Sequence, residues 1–307
     1  MKVGGEMLSS FLKAAEAIAG IKKQEVPLPI AQKQAMVTPL RVGDDLSMRS
    51  SLTSPVNYDR EMTRMLYDHT EVILSEGAVP VKENFERFCA TLSNIDKVCL
   101  IWALYKTTYE TLGQRSFKCD KDNCKSEFKQ EILLDTLVQE DTFTIWEEEK
   151  QFHEFVFPIE VEYEGFVYIF ESRLPSIKDN NRLLSNLSID ALQNNLNQTG
   201  ALFTRREQMT LLSKSVSIIK KGTVIDSETP RTENMQEMLL AFTEYVPHIV
   251  SEDFFTKYRD KFDKYYPKFY TNVNCPACGN QIKFQIDLEI EFFRRSLFGR
   301  REGVEEL

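Results

Sequence analysis

Four of the six cysteines in this 307-residue chain come as two close pairs. Cys119 and Cys124 lie in Phe117-Lys118-Cys119-Asp120-Lys121-Asp122-Asn123-Cys124. Cys275 and Cys278 lie in Asn274-Cys275-Pro276-Ala277-Cys278-Gly279. A tetrahedral zinc takes four ligands and one tight turn can aim only two thiolates, so each pair reads as half a metal site. Pro276 fixes one backbone dihedral, and Gly279 permits the left-handed geometry that follows the second thiol. One shared ion would clasp two distant segments and act as an organiser of the fold. The expected metal ligands are therefore Cys119, Cys124, Cys275 and Cys278, with a structural zinc at Zn–S distances of about 2.3 Å. Two separate half-sites, or relics of a lost site, are the alternatives.

Other chemistry finds less support. A redox dithiol at Cys275 and Cys278 would sit at a helix start, where the dipole lowers the thiol pKa, whereas a strand pattern follows here. Catalytic zinc needs an open coordination position, and four cysteines close the shell. His69, His153 and His248 have no mutual ligand spacing and read as ordinary helix or surface residues. Cys89 and Cys99 fall in apolar helical stretches and read as small buried hydrophobes. There is no phosphate-binding glycine loop, no Gly-x-Ser-x-Gly elbow and no His-Glu-x-x-His. The acidic run at 147–149 reads as a solvated face. The chain is expected not to be an enzyme and to take no small-molecule substrate.

Lys and Arg number 38 against 47 Asp and Glu, a net charge of −9. That balance disfavours general nucleic-acid binding, which needs a basic field. No apolar run is long enough to span a bilayer, and the first residues carry no signal-peptide core, so no membrane role is expected.

The elements that must aim the thiols follow from pattern. Residues 1–36, with a short helix at 8–21 and then Pro27 and Pro29, read as an N-terminal arm. Residues 39–49 read as a Gly43-Asp44-Asp45 turn between short β-like runs. A helix is expected from Asn57 to about Ser75, burying Met62, Met65, Leu66, Val72 and Ile73. Ser93-Asn94-Ile95-Asp96 caps a second helix, with Cys99, Trp102, Tyr105 and Tyr109 at helical spacing and Gly113 as its stop. A strand leads into the first cysteine pair, and Phe128, Gln130, Ile132 and Leu134 mark the return strand. Two strands joined by Glu164-Gly165 form a hairpin with Pro158 on an edge. Helices follow within 176–210, a strand at 214–225, and helices at 232–245 and 252–265. The segment from Phe292 to Arg301 mixes aromatics with arginines and reads as packing helix, docking peptide or nucleic-acid contact, in that order.

Superposing the two cysteine pairs matches Phe117 with Val273, Phe128 with Ile282, Ile132 with Ile286 and Tyr109 with Tyr265. This reads as a diverged duplication. The expected fold class is α+β: two related halves of helices plus cysteine-bearing β-hairpins, at 37–140 and 141–307, joined by a zinc-ribbon-like four-cysteine clasp.

The run Ile95-Asp96…Trp102…Tyr105…Tyr109 before a cysteine knuckle resembles a family of contractile-tailed, T-even-like bacteriophage proteins of the baseplate hub and its assembly. Cys275-Pro276-Ala277-Cys278-Gly279…Ile286-Asp287-Leu288…Phe292-Phe293 is similar to the C-termini of related tail proteins. Pro39-Leu40…Gly43-Asp44-Asp45-Leu46 resembles the opening of that module. The resemblance covers about 37–140 and 230–298. It implies a non-enzymatic virion structural protein of the baseplate or hub, or a chaperone of hub assembly. The implied partners are other baseplate or tail proteins, and the implied location is the virion tail or the host cytoplasm during assembly. The longer first knuckle and the hairpin at 155–172 depart from the pattern and leave the particular role open. The alternative is a zinc-ribbon nucleic-acid-binding or transcription adaptor.

Overall fold

The computed structural model describes residues 23–51, 55–74, 77–139, 156–186, 204–222 and 231–286. The expected helix at 8–21, the acidic run at 147–149, His153 and the Phe-Arg segment from Phe292 lie outside these residues. The chain is mixed α and β, as its patterns predict, and divides into two compact units. The first comprises residues 1–88, 95–142 and 267–307; the second comprises 89–94 and 143–266.

The first unit opens with a sheet of β1 (Gln24–Leu28), β2 (Lys33–Val37) and β3 (Thr70–Ile73), antiparallel and in that order. Val26, Leu28, Ala35 and Val37 alternate onto one buried face. The expected arm therefore gives way to strands over its last third. Pro27 is tolerated because β1 is an edge strand. The expected turn at 43–45 is instead the start of helix α1 (Val42–Ser51). Asp44, at the third helical position, accepts the N–H of Arg41 just before the helix at 2.5 Å, as the third residue of a capping box does. Helix α2 (Pro55–His69) buries Met62, Met65 and Leu66 but stops before Val72, which lies in β3.

Helix α3 (Phe85–Thr91) spans the boundary between the units. Helix α4 (Asn94–Thr108) buries Ile95, Cys99 and Tyr105, as its spacing predicts. Asp96 near its start is fully buried and accepts the Ile30 N–H at 3.1 Å, which ties the β1–β2 turn to the helix. The helix ends at Thr108, short of Gly113. That glycine sits at φ 81° beside a bulge in the next strand, a geometry suited to a residue without Cβ.

Two hairpins complete this unit. The first is β4 (Thr111–Lys118) with β5 (Glu127–Leu133). A single 3₁₀ turn (Leu134–Thr136) then leads into β6 (Val138–Gln139). The strands of the second hairpin are β11 (Phe269–Asn274) and β12 (Gln281–Ile286), and β6 adds to its β11 edge. The two hairpins thus share one unit, where the halves 37–140 and 141–307 would have separated them. The cause is β6: continuing from the first hairpin, it pairs directly with β11.

In the second unit β7 (Val156–Tyr163), β8 (Phe166–Arg173), β9 (Ser213–Lys220) and β10 (Arg231–Thr232) form an antiparallel meander. Glu164 and Gly165 turn it at φ 47° and 83°, the paired positive values of a tight two-residue hairpin. Pro158 lies on the edge strand β7, as expected. Helices α5 (Ile177–Asn186), α6 (Arg205–Leu212), α7 (Met235–Glu244) and α8 (His248–Phe262) complete the unit. Val250, Phe254, Tyr258 and Phe262 form a buried stripe at four-residue spacing on α8. Its rings meet the sheet at Phe170 (4.7 Å from Phe254) and Phe157 (5.5 Å from Phe262).

Candidate metal centre

The two knuckles sit at the tips of β4–β5 and β11–β12. Their registers are equivalent: Phe117 pairs with Phe128, and Val273 pairs with Ile282. The equivalence continues into the turns. The Cys119 N–H donates to the Ser126 carbonyl at 2.9 Å, and the Cys275 N–H donates to the Asn280 carbonyl at 2.8 Å. The residue after each second cysteine takes a positive φ, 49° at Lys125 and 69° at Gly279. The matched positions of the internal repeat are therefore matched in space within the hairpins. The helices that precede the hairpins, α4 and α8, belong almost wholly to different units.

All four Sγ atoms converge, each within 4.8 Å of the others. Across the knuckles Cys119 Sγ is 3.7 Å from Cys278 Sγ, and Cys124 Sγ is 3.8 Å from Cys275 Sγ. Four sulfurs at about 2.3 Å around a tetrahedral ion stand about 3.8 Å apart, so these separations fit one such ion. They are too long for disulfides, so these four cysteines are thiols. Cys119 and Cys275 are buried, Cys124 is half-buried and Cys278 is exposed.

Backbone donors aim at the sulfurs. The Lys121 N–H bonds to Cys119, the Ser126 N–H to Cys124, and the Ala277 and Cys278 N–H groups to Cys275. Without an ion the thiols titrate apart. Burial pushes Cys119 up to about 12 against the Lys121 N–H. Burial also opposes ionisation of Cys275, yet its two N–H donors and the Cys124 and Cys278 thiols outweigh it and bring Cys275 down to about 7. Oriented N–H dipoles of this kind favour a thiolate, the form a metal binds.

Four contacts around the thiols carry no local sequence signal. Asn280 donates to Asp120 at 2.5 Å, so the residues beside Cys119 and Gly279 join the knuckles directly. Phe117 meets Phe284 edge-on at 5.1 Å, packing one hairpin against the other. Behind them Thr136 and Thr271 are hydrogen-bonded through their hydroxyls at 3.4 Å, and Trp102 on α4 lies 4.9 Å from Phe269. The hairpins are thus held together by β pairing and aromatic packing as well as by any ion.

The remaining candidates lie apart from this cluster. Cys89 and Cys99 are buried at 4% and 2% exposure, as small hydrophobes would be. His248 is exposed at the start of α8. His69, expected to be an ordinary helix or surface residue, is buried at the end of α2, where Nε2 is 2.9 Å from Asp44 and Nδ1 is 3.1 Å from the Thr38 hydroxyl. Among the described residues no helix is long and apolar enough to cross a membrane. No protein-family model matches the chain, and no curated protein or solved structure matches it either.

Proposed function

We propose that the chain is a non-enzymatic structural protein whose two knuckles hold one structural zinc. The observation that carries this reading is the convergence of four sulfurs from two remote hairpins at tetrahedral spacing. Four thiolates would fill the coordination shell of zinc, leaving no position for substrate or activated water. Softness also favours zinc, since thiolate donors reject magnesium and calcium. The residues would supply charge and geometry, and the ion would supply a cross-link whose binding energy becomes folding energy.

The biological setting we propose is assembly of a contractile phage tail, as a component of the baseplate or hub or as a chaperone of its assembly. Its support is the sequence pattern around α4, the knuckles and the segment opening at Pro39. A rigid, metal-clasped unit suits a part that must present fixed surfaces to neighbours. The acidic net charge suits docking on basic patches of other tail proteins.

Metal analysis of the purified chain tests the first part: one zinc per chain is expected, and none after purification in zinc-replete medium would overturn it. The second part is tested with a contractile-tailed phage that encodes the chain. Disrupting its gene should stop baseplate assembly, with the chain found in particles or in assembly intermediates. Normal tails without it would sink the tail reading. Salt-sensitive binding of DNA or RNA would instead favour the adaptor reading.

A further inference from the structure

We propose that, when the ion is absent, the four cysteines oxidise across the knuckles rather than within them, forming Cys119–Cys278 and Cys124–Cys275 disulfides that preserve the clasp covalently. The proposal rests on the reading of these thiols as a metal clasp, since a bound ion is what would shield them. The pairing itself rests on geometry. The 3.7 Å and 3.8 Å contacts both cross between hairpins. A disulfide asks each pair to close by about 1.7 Å more.

Exposure divides the thiols in the same way. Each cross-knuckle pair joins one accessible sulfur to one buried sulfur: exposed Cys278 to buried Cys119, and half-buried Cys124 to buried Cys275. Peroxide can reach the first member of each pair, and the second is placed to resolve it. A pair made within a knuckle would also join a buried to an accessible thiol, and all four sulfurs lie within 4.8 Å of one another, but the contacts at 3.7 Å and 3.8 Å run across the knuckles.

The oxidant is hydrogen peroxide. The Cys278 thiolate attacks one peroxide oxygen, the O–O bond breaks, and the leaving hydroxide takes a proton to become water. Cys278 is then a sulfenic acid. Cys119 Sγ attacks that sulfur and gives up its proton as the S–S bond forms, the S–O bond breaks, and the leaving hydroxide takes that proton to become a second water. Two thiols lose two electrons and two protons, and one peroxide becomes two waters. A second peroxide does the same at Cys124 and Cys275. Oxidation of this site would therefore replace a metal tie between the hairpins by a covalent one, with β6–β11 pairing and the Phe117–Phe284 contact holding the register meanwhile.

The test uses the full chain. Zinc is counted, the ion is removed with a strong chelator, and the protein is treated with peroxide, blocked with N-ethylmaleimide and digested with trypsin without reduction. Cleavage after Lys118, Lys121, Lys125, Lys268 and Lys283 puts Cys119 and Cys124 on separate peptides and Cys275 with Cys278 on one. The expected product is a three-peptide species that reduction separates, with fragmentation before Pro276 assigning Cys119 to Cys278. A two-peptide Cys119–Cys124 species beside a 269–283 peptide with an internal disulfide would overturn the proposal. So would a Cys119–Cys275 link, or thiols that stay free. Zinc-loaded protein should react at least tenfold more slowly. A chain without zinc that gives the cross-linked species would remove the metal reading and keep this one; a zinc chain that oxidises within its knuckles would do the reverse.

Discussion

In the first knuckle four residues separate the thiols, and the left-handed position after Cys124 is filled by Lys125. In the second, two residues separate them, and Gly279 fills the same position. Both turns nevertheless end in the same strand register and deliver their sulfurs to one point. The hairpin frame fixes where the turn starts and ends, and the turn chemistry then decides how much strain the arrival costs. The second turn is preorganised by Pro276 and Gly279. The first relies on local bonds: Cys124 N–H to the Lys121 carbonyl at 2.9 Å, and Lys125 Nζ to Asp122 at 3.2 Å. A loop with a built-in shape and a loop tied into shape can thus serve one site.

Removing a thiol from the preorganised turn is the strongest test of that symmetry. Cys275→Ser should abolish stoichiometric zinc and lower the melting temperature by more than about 10 °C, because structural zinc in small modules contributes about 10–16 kcal/mol of apparent binding energy. Cys119→Ser should do the same, since either half-site alone offers only two thiolates. An unchanged melt for either variant, with zinc retained, would break the equivalence of the knuckles. In the metal-free protein the two should part company with pH. Cys275, held down to about 7, contributes stability that is full above its unfolded value near 9 and is lost as pH falls through 7. Cys119, pushed up to about 12, contributes stability that is full below 9 and lost as pH rises toward 12. Thiolate absorbance should accordingly first appear near neutrality, and that first step should be lost in metal-free Cys275→Ser.

Packing between the hairpins ranks next. Phe117 is 8% exposed and touches both Phe128 and Phe284. Phe117→Ala should cost about 3–5 kcal/mol by loss of transfer energy and creation of a cavity. Zinc per chain should stay at one, because β6–β11 pairing still aligns the turns. Loss of zinc together with stability would mean that aromatic packing, not β pairing, sets the approach of the sulfurs.

The knuckles were legible because their information is local: thiol spacing, a proline, a glycine, and alternation on either side. The Glu164-Gly165 hairpin was legible for the same reason. The strands at 24–37 were hidden behind Pro27 and Pro29, which suggest a tether, although Val26, Leu28, Ala35 and Val37 already alternate. Helix α1 was hidden because Gly43-Asp44-Asp45 looks like a turn until Asp44 is seen accepting the Arg41 N–H. The shared unit of the two hairpins depends on Val138–Gln139 meeting Phe269–Tyr270, and a two-residue strand has no periodicity to read. Asp120 and Asn280 likewise become partners only once the tips converge.

The smallest effect isolates the turn chemistry itself. A Cβ at Gly279 would meet no atom within 4 Å, so Gly279→Ala tests conformation with no steric clash. At φ 69° it should cost about 1–2 kcal/mol, the penalty of left-handed geometry for a residue with a Cβ. Lys125 already bears that penalty at φ 49°. Lys125→Gly should therefore relieve it, offset by about 0.5–1 kcal/mol of extra chain entropy in the unfolded state and by the lost bond to Asp122. The net change should be a gain of less than about 1 kcal/mol, read as a rise of a few degrees in the melt of the zinc-loaded protein. Opposite signs for the two substitutions would show that the knuckles share one backbone geometry and differ only in which residue bears its cost. A clear loss at Lys125→Gly would show instead that the lysine's own bonds hold the longer turn, so that the two knuckles reach the same point by separate means.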